Sequence, residues 1–218
     1  MKKRILSLVT LLSLTLSLTV SAQAAMIVDT GIPGTVYDMG LTGSNYGQTK
    51  YAGQFVLNQG TVITAVRGYV DTFGGRWSGI VDAAIYGNNT TGRWPLPDVA
   101  TEFWRGQFSV TNTSYSWEGL SGLNWNLKAG TYWLAIEATT PGFYGKFARN
   151  ASNYMPWYAN FNNGSWNALD KANGLCFQIE GVAGGGSAPV PEPSTYLLFS
   201  LGLGGLALWK RRQQRRLM

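Results

Sequence analysis

The fold prediction depends most on one stretch of the sequence, Leu123-Asn-Trp-Asn-Leu-Lys-Ala-Gly-Thr-Tyr-Trp-Leu-Ala-Ile-Glu-Ala138. Leu123, Trp125 and Leu127 alternate with polar residues, and Lys128-Ala129-Gly130 then turns the chain into a second apolar run. Alternation with a period of two is typical of a strand with one buried face, and Gly-containing segments between such runs indicate turns. This stretch therefore predicts two β-strands joined by a turn.

Similar short runs occur on both sides of this stretch, separated by turns rich in Gly and Asn: residues 54–57, 61–70, 79–86, 101–110 and 174–181. No window of a dozen residues between them shows the 3.6-residue period and the capping residues of a helix. The sequence therefore predicts an all-β domain over residues 25–181, an antiparallel β-sandwich with jelly-roll-like connectivity.

The N-terminus has the three parts of a secretory signal. A basic start, Met1-Lys-Lys-Arg4, precedes an apolar run over residues 5–20, and Ala22-Gln23-Ala24 has the small residues that signal peptidase requires. Because no Cys lies directly after the apolar run, a lipoprotein signal is excluded. Residues 1–24 are therefore predicted to be a helical signal peptide, cleaved after Ala24, that directs export through the inner membrane.

The C-terminus carries a second set of targeting features. A Gly-rich linker over residues 182–189 leads to Pro191-Glu192-Pro193 and then to an apolar helix predicted over residues 196–209. Fourteen helical residues rise about 21 Å, which is less than the roughly 30 Å hydrocarbon core, so we expect a thin single-pass anchor. A basic stop follows and is predicted to face the cytoplasm: Lys210, Arg211, Arg212, Arg215 and Arg216.

In this order, these features resemble the PEP-CTERM sorting signal of Gram-negative bacteria, over about residues 189–216. The resemblance implies that an exosortase-type membrane transpeptidase recognises Pro191, Glu192 and Pro193 and cuts near them. The final location is then the cell envelope, the outer surface or the medium, whereas a single-pass anchor that is never cut is the alternative. The strands also resemble the sandwich domains that often precede this signal, on residues 53–57, 82–86, 127–136 and 177–181.

The formal net charge of +6 is misleading about the domain. Of 17 Lys and Arg residues, three lie before residue 5 and five after residue 209, which leaves nine against ten acids between the two signals. A nearly neutral domain lacks the basic surface that nucleic acid binding requires. We therefore expect no nucleic acid partner.

The sequence offers little for catalysis or metal binding. It contains no His, which excludes Ser-His-Asp and Cys-His arrangements and makes zinc, copper or non-haem iron sites improbable. Its single Cys, Cys176, alternates with Leu175 and Phe177 and is predicted to be a half-buried thiol. Carboxylates such as Asp82, Glu102 and Glu137 keep a glycosidase as a remote alternative. We expect no enzyme activity, no cofactor and no metal.

Aromatic residues are the one group that suggests a ligand. Eight of the nine Trp residues belong to the predicted domain, and four aromatic residues in turn-rich or polar segments are candidate glycan-stacking platforms: Trp94, Trp157, Tyr158 and Trp166. The alternative is local packing in an aromatic mini-core.

Two functions therefore remain open. The first is an exported structural protein of the cell envelope or of an exopolysaccharide matrix, and the second is a carbohydrate-binding module. A cluster of the four aromatic side chains on one exposed strip favours the second, whereas burial or dispersal favours the first.

Overall fold

The computed structural model describes residues 24–184, with the exceptions of 34, 36, 74–76, 150 and 170–173. The predicted signal peptide before residue 24, most of the linker, and the 190–216 signal with its 196–209 helix lie outside the described residues, as do Ala22 and the sorting and stop residues. Within the described part, no helix is long and apolar enough to cross a membrane.

The regular structure of the described residues is almost entirely β-strand, and its one helical element is a short 3-10 turn at Ser44–Tyr46. In chain order the strands are β1 Ala25–Asp29, β2 Tyr37–Thr42, β3 Lys50–Leu57, β4 Thr61–Asp71, β5 Gly79–Asn89, β6 Leu96–Val110, β7 Ser116–Leu127, β8 Gly130–Ala138, β9 Tyr144–Arg149, β10 Tyr158–Asn162, β11 Ser165–Leu169 and β12 Phe177–Ala183.

The strands form two sheets in which every pairing is antiparallel. Sheet 1 has the order β1-β12-β4-β9-β2, and β7 pairs with β4 on the side opposite β12. Sheet 2 has the order β11-β10-β3-β8-β5-β6. The predicted all-β fold with two antiparallel sheets is confirmed, whereas the finer jelly-roll-like connectivity stays a prediction.

The main core lies between the two sheets. Alternate residues of β8, among them Leu134 and Ile136, point into it and are fully buried with Val66 and Ile179 of sheet 1. Burial of each such side chain contributes about 1.5–3 kcal/mol, so this layer holds the sheets together. Tight packing is evident at Gly68 on β4, where an added Cβ would lie 2.9 Å from the ring of Phe147.

The hairpin of β10 and β11 contains Trp166 and lies in a polar segment for which the sequence predicted no strand. Its turn consists of Asn163 and Gly164, whose φ angles are 52° and 81°. Two successive residues with positive φ are the signature of a type I′ hairpin turn, for which Asn-Gly is the preferred sequence. The Asn-Gly pair was therefore the signal for this hairpin.

Cys176 is more deeply buried than the half-buried thiol that was predicted. It is fully enclosed in a small apolar cluster with Ala148 and Ala151, against the rings of Tyr69 and Trp117. Burial raises the pKa of its thiol to about 12. The native thiol is therefore protonated and inert at neutral pH.

Candidate functional site

Sheet 2 has a second buried layer on the face that points away from the main core. We call it the polar-aromatic face. Its apolar centre consists of Tyr86, Trp133 and four alanines, and Leu96, Trp157 and Trp166 pack against this centre. The face exists because successive side chains of a strand point to opposite sides, so that Trp133 and Glu137 of β8 lie opposite Leu134 and Ile136.

A row of small side chains crosses this face. Five alanines pair in register across five strands, and Arg105 on β6 ends the row: Ala168, Ala159, Ala52, Ala135 and Ala84. The four alanines from Ala159 to Ala84 are fully buried. Their small size leaves room for the large side chains of the two neighbouring rows to fold over them.

Sheet 2 also curves around this face. Trp166 on β11 and Tyr86 on β5 are separated by four strand spacings, which would amount to about 19 Å in a flat sheet. Their ring centroids are nevertheless 6.5 Å apart, and the edge strands β11 and β6 contact each other. Curvature therefore brings groups from both edges of the sheet into one site.

Arg105 is the centre of an ion-pair network on this face. Its Nε and Nη2 donate to the two carboxylate oxygens of Glu102, at 3.0 and 2.7 Å. Its Nη1 donates to Asp82 Oδ2 at 2.6 Å and to Glu137 Oε2 at 3.1 Å. The hydrogen bonds with Glu102 raise the pKa of Arg105 and lower that of Glu102. The guanidinium thus holds three carboxylates at fixed positions.

The two buried carboxylates have further partners. Glu137, with a side chain only 2% exposed, also accepts hydrogen bonds from Lys50 Nζ at 2.9 Å and from the Tyr86 hydroxyl at 2.7 Å. Asp82 accepts from Gln107 Nε2 at 3.0 Å. Burial, followed by the charge of Glu137, raises the pKa of Tyr86, so that the phenol stays neutral. Each buried charge is therefore compensated within the network.

The aromatic half of the face is built around Trp133, which is fully buried. Its indole Nε1 donates to Asn88 Oδ1 at 2.9 Å, and Gln54 Nε2 donates to the same oxygen at 2.9 Å. Trp166 packs edge-on against Phe161, with ring centroids 5.6 Å apart. The Nε1 of Trp166 is buried and has no hydrogen-bond partner among the described residues.

Three of the four predicted glycan-stacking residues come together at this face. Trp94 and Trp157 are in contact, with ring centroids 5.3 Å apart, and Trp157 and Trp166 both pack against the same apolar centre. Trp94 is 44% exposed, and the guanidinium of Arg93 lies 5.0 Å from its ring centroid. Trp157 and Trp166 are half-buried.

Tyr158 does not belong to this group. As the neighbour of Trp157 in the chain it points to the opposite side of sheet 2, where it is fully buried in the main core. Its hydroxyl accepts a hydrogen bond from the backbone N–H of Met155 at 2.8 Å, and burial raises its pKa to about 12. Tyr158 therefore offers no surface to a glycan.

Sequence reasoning missed the role of Arg105 and identified Asp82, Glu102 and Glu137 only as carboxylates. A charged residue inside an apolar strand run, such as Glu137, was a signal that a partner lay beside it. The identity of that partner depended on the pairing of β5 with both β6 and β8. Among the described residues, no group of three or more His, Cys, Asp or Glu side chains is arranged to hold a metal ion.

Comparison with known families gives one match, which lies in the tail. The family model of the PEP-CTERM protein-sorting motif matches residues 189–213. No curated protein matches the chain significantly. The motif supports an exported protein that is sorted through its C-terminal signal, as in Gram-negative bacteria, and it implies processing by an exosortase-type membrane enzyme.

Proposed function

We propose that this PEP-CTERM protein is a non-catalytic structural unit of the cell envelope or of an exopolysaccharide matrix. In this proposal, signal peptidase removes residues 1–24, the C-terminal helix holds the chain temporarily in the inner membrane, and cleavage near Pro191-Glu192-Pro193 delivers the sandwich to its final location. The matched sorting motif supports delivery. The packing of the domain supports a structural role.

The observation that carries the proposal is that both faces of sheet 2 are filled. The main core covers one face, and the second apolar centre around Trp133 covers the other. A sheet that is packed on both faces and curved around one of them has little freedom to deform. Such a domain suits a rigid spacer or adhesive unit.

The ion-pair network supports the absence of catalysis. Glycoside hydrolysis requires one carboxylic acid with a raised pKa and a second carboxylate that reaches the substrate or a water molecule. Asp82 and Glu137 are instead buried and held by Arg105, and Glu102 has a lowered pKa because of the same guanidinium. This arrangement favours structure over acid-base chemistry.

Cell fractionation with and without the last 28 residues tests the proposal. We expect the full chain to reach the matrix or outer envelope fraction and the truncated chain to remain in the periplasm. Glu192→Ala should hold the chain in the inner membrane, because it removes the charge between two prolines that keep the segment extended. Delivery that is identical for all three chains would contradict the proposal.

Carbohydrate binding at the polar-aromatic face is the second candidate. A specific observation favours it: Trp94 is 44% exposed and contacts Trp157. Trp166 packs against the same apolar centre as Trp157, and its buried indole N–H has no hydrogen-bond partner among the described residues. Indole faces stack on the apolar faces of sugars, and an unpaired donor is satisfied when a ligand supplies an acceptor.

Isothermal titration of extracted exopolysaccharide into the protein tests this second function. Trp94→Ala is the informative variant, because it removes an exposed ring without emptying the apolar centre around Trp133. Tyr154, which is 57% exposed, provides the matched control Tyr154→Ala. Binding heat that is the same for the wild type, Trp94→Ala, and Trp157→Ala combined with Trp166→Ala would exclude this site.

A further inference from the structure

We propose that a second surface, at one end of the sandwich, binds an uncharged polysaccharide chain. It consists of Tyr46, Phe73, Trp77 and Tyr144, and we call it the end cluster. This inference rests on the proposed association with an exopolysaccharide matrix, and it names the residues and the ligand class that would provide it. The end cluster is separate from the Trp94, Trp157 and Trp166 group.

The end cluster joins three distant segments of the chain. Tyr46 comes from the 3-10 turn after β2, Phe73 and Trp77 follow β4, and Tyr144 begins β9. The Tyr46 ring meets those of Trp77 and Tyr144 edge-on, with centroids 5.9 and 5.6 Å apart, and Phe73 meets Tyr144 in the same way at 5.7 Å. The fold thus gathers four aromatic rings at one place.

These rings contribute little to the buried cores. Tyr46 is 47% exposed, Phe73 50% and Trp77 39%, and none of the four rings belongs to the three apolar clusters of the domain. Isolated exposed aromatic residues are normal, but a contiguous exposed group marks an interaction surface. Because an edge-on contact covers one face of only one of the two rings, other ring faces remain for stacking against the apolar faces of sugar rings.

The backbone is held in an uncommon conformation to present one of these rings. Phe73 has φ of 46°, in the left-handed region that is unfavourable for a bulky residue. Its N–H donates to Asp71 Oδ1 at 2.9 Å, and Asp71 is only 7% exposed, so a buried carboxylate fixes this turn. A strained residue that is held in this way is a common feature of binding sites.

The charge around the end cluster indicates the class of ligand. Lys146 Nζ lies 4.5 Å from the ring centroid of Phe73, but it is paired with Asp38 Oδ2 at 2.8 Å. Asp38 also accepts a hydrogen bond from the Tyr115 hydroxyl. Aromatic residues that bind anionic lipid surfaces are accompanied by unpaired cations, whereas Lys146 is paired with Asp38 and also lies near the carboxylate of Asp71. The lack of an unpaired cation among the described residues of the end cluster favours an uncharged, hydroxyl-rich chain.

Titration calorimetry on the full-length chain in mild detergent tests the inference. The probe is the neutral fraction of exopolysaccharide from the producing cells, separated from the acidic fraction by anion exchange. Phe73→Ala combined with Trp77→Ala should weaken binding by about tenfold or more, since two stacking rings are lost. Tyr46→Ala provides an independent second variant, and Tyr154→Ala is the control for loss of an exposed ring elsewhere. Unchanged thermal unfolding shows that a variant is folded.

The outcomes separate this inference from the proposed function. If the wild-type chain reaches the matrix in cells but the end-cluster variants bind the neutral fraction as the wild type does, the inference is wrong and the structural function stands. If the wild-type chain reaches no matrix fraction, both fail. If the end-cluster variants lose binding only to the acidic fraction, or only to micelles containing phosphatidylglycerol, the assigned ligand class is wrong.

Discussion

Replacing Arg105 with Met tests whether the ion-pair network holds the polar-aromatic face together. Met keeps most of the length of the side chain but removes its charge and every hydrogen bond to Glu102, Asp82, Glu137 and Tyr86. The side chains of Asp82 and Glu137 are only 5% and 2% exposed. Water therefore cannot readily replace the lost guanidinium.

The expected cost follows from the two buried carboxylates. Removing one partner of a buried ion pair costs about 3–5 kcal/mol, because an uncompensated charge remains. Lys50 still compensates Glu137, and the Arg105 side chain is 31% exposed, so the lower end of that range applies. The more exposed pair with Glu102 adds less than about 1 kcal/mol. We expect a loss of about 3 kcal/mol in the free energy of unfolding.

Urea unfolding of residues 25–184, monitored by Trp fluorescence, measures this decrease in the free energy of unfolding. A double-mutant cycle with Asp82→Asn isolates the contact, and we expect a coupling energy of about 1–2 kcal/mol. Lys128→Met is the control, since it removes an exposed cation and should cost less than about 0.5 kcal/mol. If Arg105→Met costs no more than this control, or if the coupling energy is zero, the network does not stabilise the fold.

Further predictions concern acid stability, glycine packing and the thiol. The pKa of Glu102 is lower in the folded chain than its ordinary value of 4.5, so the interaction of this carboxylate with Arg105 stabilises the fold above pH 4.5 and is lost as the pH falls through the folded pKa. The urea midpoint should drop across that pH range, and it should drop less in Arg105→Met. Gly68→Ala should cost about 1–3 kcal/mol through overpacking, whereas Gly142→Ala, with nothing within 4 Å of its added Cβ, should be nearly neutral in the same assay. Cys176, with its pKa raised to about 12, should react with dithionitrobenzoate at mildly alkaline pH only after unfolding; rapid labelling of the native protein would contradict its burial.

The strand pattern could be predicted where the two faces of a strand differ in polarity. Leu123, Trp125 and Leu127 alternate clearly, and the structure places a strand there, Ser116–Leu127. The pattern is less clear in β8, because Trp133 and Ala135 are as deeply buried on one face as Leu134 and Ile136 are on the other. When both faces of a strand are buried, successive residues do not differ in polarity, so the sequence does not show which residues share a face.

The candidate site could be predicted only in part. Sequence reasoning selected Trp94, Trp157 and Trp166, which do converge, together with Tyr158, which points into the main core. The error arose because successive residues of a strand point to opposite faces, and the sequence analysis did not assign a strand there.

The sequence alone determined the all-β class and the sorting signal at residues 189–213, and it predicts the N-terminal export signal, because each is a local pattern of contiguous residues. Only the tertiary structure decided which side chains act together. Arg105 meets Glu137 across 32 positions of sequence because β6, β5 and β8 are neighbours in sheet 2. A slip of one residue in any of those pairings would turn a whole strand face toward the opposite layer, so the site depends on strand register, which no local pattern specifies.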